Sequence, residues 1–240
     1  MPGKENLPPL IKMSFTDDVP GMSTLSHELG HSMHAYFTNQ NQPEIYTGFG
    51  LSMTVAETAS NLNQAMTRAY LRESRADDAE FQLALLEEAM SNYHRYLFQM
   101  LNLASFELEV YTRAEQGKPL SAKILQDIMI EIFAAGYGDT LTDDPVRTGT
   151  TWAQFSHLYI PFYTFQYAVG ISAADALTAK IKAGEPNAAE NYLKFISAGS
   201  SLYTMDLFDL AGVDMRSPEP VKAAFGVLDS MIDQLAELTK

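Results

Sequence analysis

From residue 51 to residue 116 the chain runs for 66 residues without a glycine or a proline. Nothing there removes a backbone donor or loosens the chain, and apolar residues recur at helical spacing, so the segment is predicted to be helix. Unbroken, it would reach about 100 Å, against a radius of gyration near 18 Å for a compact chain of this length. It must therefore fold back at least once. The most polar point, Arg72-Glu73-Ser74-Arg75-Ala76-Asp77-Asp78, is the predicted break. Further helices are predicted over 23–37, 121–135, 151–182, 187–198, 201–211 and 218–238, with Ser23 or Thr24 capping the first, and Ser217 capping the last with Pro218 in its first position. Extended structure is limited to Leu10-Ile11-Lys12-Met13-Ser14-Phe15. Gly48-Phe49-Gly50 reads as a turn. The fold class is mainly α: one multi-helix domain over 1–240 with at most a short edge strand near the N-terminus.

Charge narrows the partners. Thirty acidic against 16 basic side chains give a formal charge of −14, which opposes binding to phosphate backbones, so nucleic acid is not expected as a partner. The chain has no cysteine, which excludes a disulfide scaffold and leaves histidine and carboxylate as its strong metal ligands. Met1-Pro2-Gly3-Lys4-Glu5-Asn6 lacks the apolar run of a secretion signal, making the cytoplasm the expected location. Residues 148 to 174 carry no charge, yet Pro161, Gln154, Gln166 and a centre of Tyr and Phe argue for a buried helix rather than a membrane span.

The chemistry concentrates in His27-Glu28-Leu29-Gly30-His31, an HExxH pattern inside a predicted helix. At about 100° per residue, His31 lies some 40° from His27 and one turn along, so both imidazoles can reach one metal ion. Leu25, Leu29, Met33 and Tyr36 fall on the opposite face and are predicted to point into the core. Gly30 leaves room for a backbone to approach. The pattern is that of a zincin-type hydrolase, in which zinc needs three protein ligands and an open position. His34 lies about 10 Å further along the axis than His27, too far to join the same ion, and is assigned to packing or ligand support. A metzincin site would need histidine where this chain has Phe37.

A carboxylate from a second helix is the remaining route, and Glu57 in Val55-Ala56-Glu57-Thr58-Ala59-Ser60 is the candidate. Its small neighbours allow close helix approach. The competing role is local: Thr54-x-x-Glu57 also matches a capping box, with Glu57 satisfying a backbone N–H.

These residues together resemble the oligoendopeptidase F branch of the thimet oligopeptidase family of zinc peptidases. His27 through His34 and Val55 through Ser60 carry the likeness, and so do His157-Leu158-Tyr159-Ile160-Pro161-Phe162-Tyr163-Thr164-Phe165-Gln166-Tyr167-Ala168 and the stretches Ala198-Gly199-Ser200-Ser201 and Ala211-Gly212-Val213-Asp214. The resemblance implies one zinc ion held by His27, His31 and Glu57, Glu28 as general base, and His157 with Tyr163 and Tyr167 facing substrate. It also implies an endopeptidase acting on short peptides. Such enzymes usually carry a second glutamate one heptad after the third ligand. This chain has Gln64 there, which can orient a ligand by hydrogen bonding but brings no charge. They are also longer, so the chain corresponds to their C-terminal part. The alternative function is an incomplete zinc-binding fragment that needs an N-terminal partner chain or self-association to form a working cleft.

Other charged or aromatic features read as structural. An aromatic stripe at helical spacing commonly marks a core, His94 is assigned to surface or packing, and Asp77-Asp78 and Glu87-Glu88 read as solvated helix faces.

Overall fold

The computed structural model describes residues 8–47, 51–142 and 144–240, and among them there is helix, turn and coil but no strand. The turn predicted at Gly48-Phe49-Gly50 lies outside the described residues. Residues 10–15 are irregular rather than paired into a sheet. The first helix, α1 (Val19–Asn41), starts earlier than its sequence signals suggested: Asp18 is the cap, accepting from the Gly21 N–H at 2.7 Å, and Pro20 occupies the first turn.

The long stretch without Gly or Pro folds back where it was expected to. Helix α2 (Met53–Ser74) ends in the polar turn, and α3 (Ala79–Tyr93) follows it. Asp78 accepts from the Phe81 N–H at 3.1 Å, and the Arg75 guanidinium sits 4.5 Å from the centre of the Phe81 ring. Beyond α3 come a π-helical stretch, His94–Gln99, then α4 (Met100–Glu115), α5 (Ala122–Tyr137) and α6 (Pro145–Gln154). Ser121 caps α5 as a side-chain acceptor for the Ile124 N–H.

The helix predicted over 151–182 is two helices. Helix α6 stops at Gln154, Ser156–Tyr159 form a 3-10 turn, and α7 (Phe165–Lys182) begins afresh. Pro161 explains the interruption, since it offers no N–H and disfavours helical geometry at the preceding Ile160; Ile160 is extended, with φ −114° and ψ 112°. The chain closes with α8 (Ala188–Ser197), α9 (Thr204–Ala211) and α10 (Glu219–Leu238). Ser217 still serves the last helix by accepting from the Glu219 N–H at 3.1 Å, but the cap position is Pro218 and the first-turn proline is Pro220.

The chain separates into two compact units, Met1–Asn92 with Val169–Lys240, and Tyr93–Ala168. In the first, Val55, Ala59 and Leu62 of α2 pack with Ala173, Ala174 and Leu177 of α7 and with Phe195, Ile196, Leu207 and Phe208 of α8 and α9. The Phe195 and Phe208 rings meet at 5.5 Å, both fully buried, each burial stabilising by roughly 1.5–3 kcal/mol. In the second unit α4 packs on α5 and α5 on α6, around Met100, Leu103, Phe106, Ile128 and Met129. No described helix is long and apolar enough to cross a membrane.

One predicted face is reversed. Leu29, Met33 and Tyr36 of α1 are 43%, 42% and 47% exposed, while Ser23, Ser26, Gly30, His34, Ala35 and Thr38 are buried. The cause is close approach to α2: a Cβ on Gly30 would stand 2.5 Å from the Ser60 Cα and 2.6 Å from the Ala59 carbonyl oxygen. Large side chains cannot occupy that seam. Small polar residues bind across it instead, Asn63 donating to the Ser26 carbonyl at 2.6 Å and the Ser26 and Thr67 hydroxyls meeting at 2.8 Å. Thr38 ties the other end of α1 to α8 through the Ile196 carbonyl at 2.9 Å.

Candidate metal centre

The close seam between α1 and α2 brings His27, His31 and Glu57 together. His27 Nε2 lies 3.2 Å from His31 Nε2 and 3.4 Å from Glu57 Oε2, and His31 Nε2 lies 3.7 Å from Glu57 Oε1. A tetrahedral ion with bonds of about 2.1 Å has ligand-to-ligand edges of about 3.4 Å. The two imidazole nitrogens and the two Glu57 oxygens thus lie at separations close to those edges, and among the described residues this is the group of histidines and carboxylates close enough to hold an ion.

Glu57 reaches the cluster because α7 lets it. Gly170 presents no side chain to α2 there, and a Cβ on it would come within 2.6 Å of the Glu57 Cβ. The carboxylate is 2% exposed and accepts from the Ser60 hydroxyl at 3.2 Å. The capping-box role does not hold: Ala56 N–H donates to the Ser52 carbonyl, Ser52 is the cap of α2, and Thr54 lies inside the helix.

Hydrogen bonds decide which nitrogen of His27 faces the cluster. The buried Gln64 amide donates to the Ser23 carbonyl at 3.2 Å and to the Ser23 hydroxyl at 2.8 Å. A carbonyl can only accept, so the NH2 end of Gln64 faces Ser23 and its Oε1 faces His27 Nδ1, 3.0 Å away. Nδ1 then carries a proton, and Nε2, which faces His31 and Glu57, is the nitrogen available to a metal ion. A backbone hydrogen bond to Ala56 engages the His31 ring. Burial first, then the neighbouring His27 and His34, pushes the His31 imidazole down to about 3, so it is neutral and able to ligate at pH 7. Two lone pairs and a carboxylate converging with little water are an arrangement that a cation stabilises.

Glu28, half-buried, lines a cavity of about 340 Å³ together with His31. The other walls come from Leu10, Ile11, Ser32, His34, Ala35, Leu51, Met53 and Ala56. His34 is fully buried, its Nε2 has no hydrogen-bond partner, and burial lowers its imidazole to about 4. Distance along α1 keeps it out of the metal cluster, as its spacing predicted.

In the second unit His157, Tyr163 and Tyr167 form an aromatic cluster of their own. The His157 ring centre lies 5.2 Å from that of Tyr163 and 5.8 Å from that of Tyr167, and the two tyrosine rings meet edge to face at 5.7 Å. They do not share a helical face, because His157 sits in the 3-10 turn, Tyr163 in the loop and Tyr167 in α7. Phe162 adopts φ +55°, a strained conformation for a bulky residue, and the buried Glu107 carboxylate accepts its N–H. Tyr167 is buried and stacks on Tyr96 at 5.3 Å, while Tyr159 is exposed and donates to the Ala153 carbonyl. Burial, with the nearby Arg95, holds the His157 imidazole below its ordinary range.

Two features escaped the sequence. Leu10 and Ile11 wall the cavity, and Glu88, expected on a solvated face, is 8% exposed and paired with Arg68 at 2.7 Å.

Known proteins resemble this chain over most of its length. The family model described as peptidase family M3 matches residues 8–227. Oligopeptidase PepF of Bacillus subtilis (strain 168) is 36% identical over 231 residues, covering 96% of this chain and 34% of that protein. An oligoendopeptidase F homolog of Lactococcus lactis is 32% identical, covering 95% of this chain and 37% of its own length. The crystal structure of oligoendopeptidase-F from Enterococcus faecium superposes with a TM-score of 0.78 at 33% identity, over 91% of this chain and 39% of that one. The chain thus spans about a third of the length of the curated relatives it matches. It belongs to peptidase family M3.

Proposed function

We propose that this chain forms the metal-binding part of a zinc-dependent endopeptidase that hydrolyses internal bonds of short peptides in the cytoplasm. The observation that carries the proposal is the convergence of His27, His31 and Glu57, with the imidazole nitrogens 3.2 Å apart and 3.4 and 3.7 Å from the Glu57 carboxylate oxygens. Neutral imidazoles and a buried carboxylate are a donor set suited to zinc, and three protein ligands leave a position open for chemistry. Bound there, zinc would supply Lewis acidity, making water acidic near neutral pH and polarising a carbonyl.

The chain's own side chains do the rest. Glu28 takes the proton from the attacking water onto its carboxylate and hands it to the departing amine nitrogen. Its place on α1, about 100° from His27, keeps it off the metal and beside the cavity. That cavity, with apolar walls from Leu10, Ile11, Leu51 and Met53, suits a substrate side chain next to the scissile bond and excludes water from it. His157, Tyr163 and Tyr167 are assigned to hydrogen-bond donation toward the peptide, since a neutral imidazole and two phenols can each donate to a developing oxyanion.

A second role has its own observation. Leu29, Met33 and Tyr36 form an exposed apolar row on the helix that carries both histidines. Covered by further polypeptide of the same protein, that row would complete a cleft that this chain begins; the chain alone would then bind zinc without turning over.

Cleavage of a quenched fluorescent peptide pool by the purified chain separates these outcomes. Turnover that is lost with chelator, restored by zinc, and reduced by about 10²–10⁴-fold in Glu28→Gln is the expected result. Stoichiometric zinc with no turnover favours the incomplete cleft. Turnover indifferent to chelator and to Glu28→Gln overturns the proposal.

A further inference from the structure

A part-buried ion pair continues the hydrogen-bond chain that begins at His27. Arg68 of α2 grips Glu88 of α3 with two bonds, Nε to Oε2 at 2.7 Å and Nη2 to Oε1 at 2.9 Å, and Asn92 also donates to Glu88 Oε1 at 3.2 Å. The same Nη2 donates to the Ser23 hydroxyl at 3.1 Å. That hydroxyl is the nearer of the two Ser23 acceptors for Gln64, whose Oε1 faces His27 Nδ1. The series therefore runs Glu88, Arg68, Ser23, Gln64, His27, crossing three helices within one unit.

Its direction is set at the charged end. A guanidinium donates and never accepts, so Arg68 presses a lone pair of the Ser23 oxygen toward itself and directs the hydroxyl proton elsewhere. With Arg68 absent, the hydroxyl could turn its proton toward Gln64, leaving the Ser23 carbonyl alone to hold the amide against reversal. With Arg68 present, Ser23 accepts from Gln64, the amide oxygen must face His27, and the lone pair of the imidazole is left on Nε2, where His31 and Glu57 converge. Glu88 neutralises the guanidinium and fixes its plane with a bidentate grip. Charge enters the support of His27 through Arg68, two hydrogen bonds beyond an amide that carries none.

We propose that the Ser23 hydroxyl and the Arg68–Glu88 ion pair are positioning groups: they reinforce the Ser23 carbonyl in holding the Gln64 amide in one orientation and so present His27 Nε2, the proton held on Nδ1, to the metal site. The proposal rests on His27 being a metal ligand, but its first consequence, the tautomer, needs no metal.

The test uses the full 240-residue chain. Long-range proton–nitrogen correlation spectra of the metal-free chain at pH 8 report which His27 nitrogen carries the proton, and titration with zinc alone reports affinity. The wild-type chain should show the Nδ1–H form. Arg68→Met combined with Glu88→Leu removes both charges, leaving neither buried alone. It should give a mixture of His27 tautomers and weaken zinc by about three- to tenfold, less than the 10–100-fold typical of losing a group bonded directly to a metal ligand. Ser23→Ala deletes one oxygen, keeps the ion pair, and should shift both readouts in the same direction; it decides the matter should the double variant fail to fold. An unchanged His27 tautomer and unchanged zinc affinity in folded Ser23→Ala and double variants would overturn the proposal, as would an Nε2–H form in the wild-type chain. A wild-type chain that shows Nδ1–H yet takes up no zinc defeats the metal assignment instead and leaves the hydrogen-bond series standing.

Discussion

The two clusters of chemistry-bearing residues in this chain are built on opposite plans. His27, His31 and Glu57 stand in the middle of helices pressed together so closely that Gly30 and Gly170 cannot carry side chains. Their neighbours are small, polar and hydrogen-bonded. His157, Tyr163 and Tyr167 are divided among a 3-10 turn, a loop and the start of a helix, and hold together by ring contacts and a strained Phe162. The first plan fixes atoms to the tolerance a metal ion needs. The second sets hydroxyl and imidazole groups on a turn, a loop and a helix start, the kind of segment on which binding groups are commonly carried.

If that contrast is sound, changes in the two clusters should separate metal binding from turnover. Tyr163→Phe removes one hydroxyl from the loop-borne cluster. It should lower kcat by about 10²-fold and leave zinc affinity untouched; lost zinc in this variant would mean that the two clusters are not distinct in function. Gly30→Ala should do the reverse. Alanine ordinarily stabilises a helix over glycine by up to about 1 kcal/mol. Here its methyl would stand 2.5 Å from the Ser60 Cα, so the chain should lose roughly 1–3 kcal/mol of stability in denaturant titration, with weaker zinc binding. A stabilised Gly30→Ala would refute the close seam.

The smallest effect is expected at His34. Its ring is buried with Nε2 unpartnered and is lowered from 6.5 to about 4. Below its unfolded value the unfolded chain binds the proton more readily, so this group's contribution to stability is complete above about pH 6.5 and lost as pH falls toward 4. His34→Phe removes that dependence and the burial of an unpaired polar atom, and the cavity beside it offers room. The metal-free variant should be about 1 kcal/mol more stable at neutral pH and should melt with a shallower decline between pH 6.5 and 4. A steeper decline in thermal melts would show that another group governs that range.

The contrast also explains what could be read in advance. A helix converts spacing into direction, so residues 27 and 31 specify a shared face by spacing alone, and the polar turn after α2 is marked by its charges. The packing face of α1 was misjudged because apolar side chains were expected to be buried. In fact the seam selects for size, and Ser23, Ser26, Gly30 and Thr38 fit where Leu29 and Met33 cannot. Helical spacing failed again at Pro161, where the helix drawn through His157 and Tyr167 is interrupted. Arg68 and Glu88 were hidden for a third reason: their contact spans the turn between two helices, and sequence spacing does not report which faces meet across a turn.

Glu57 is where a helix-borne metal site is tested most directly, because it is the ligand that comes from the second helix. Calorimetric titration of the chelator-treated chain with zinc should give one site. That site should be lost in His27→Ala, while Glu57→Ala should bind markedly more weakly, with the helical fold retained by circular dichroism. Zinc stoichiometry and affinity unchanged by Glu57→Ala would contradict the account, leaving the carboxylate at the seam as a structural neighbour of two histidines rather than their partner.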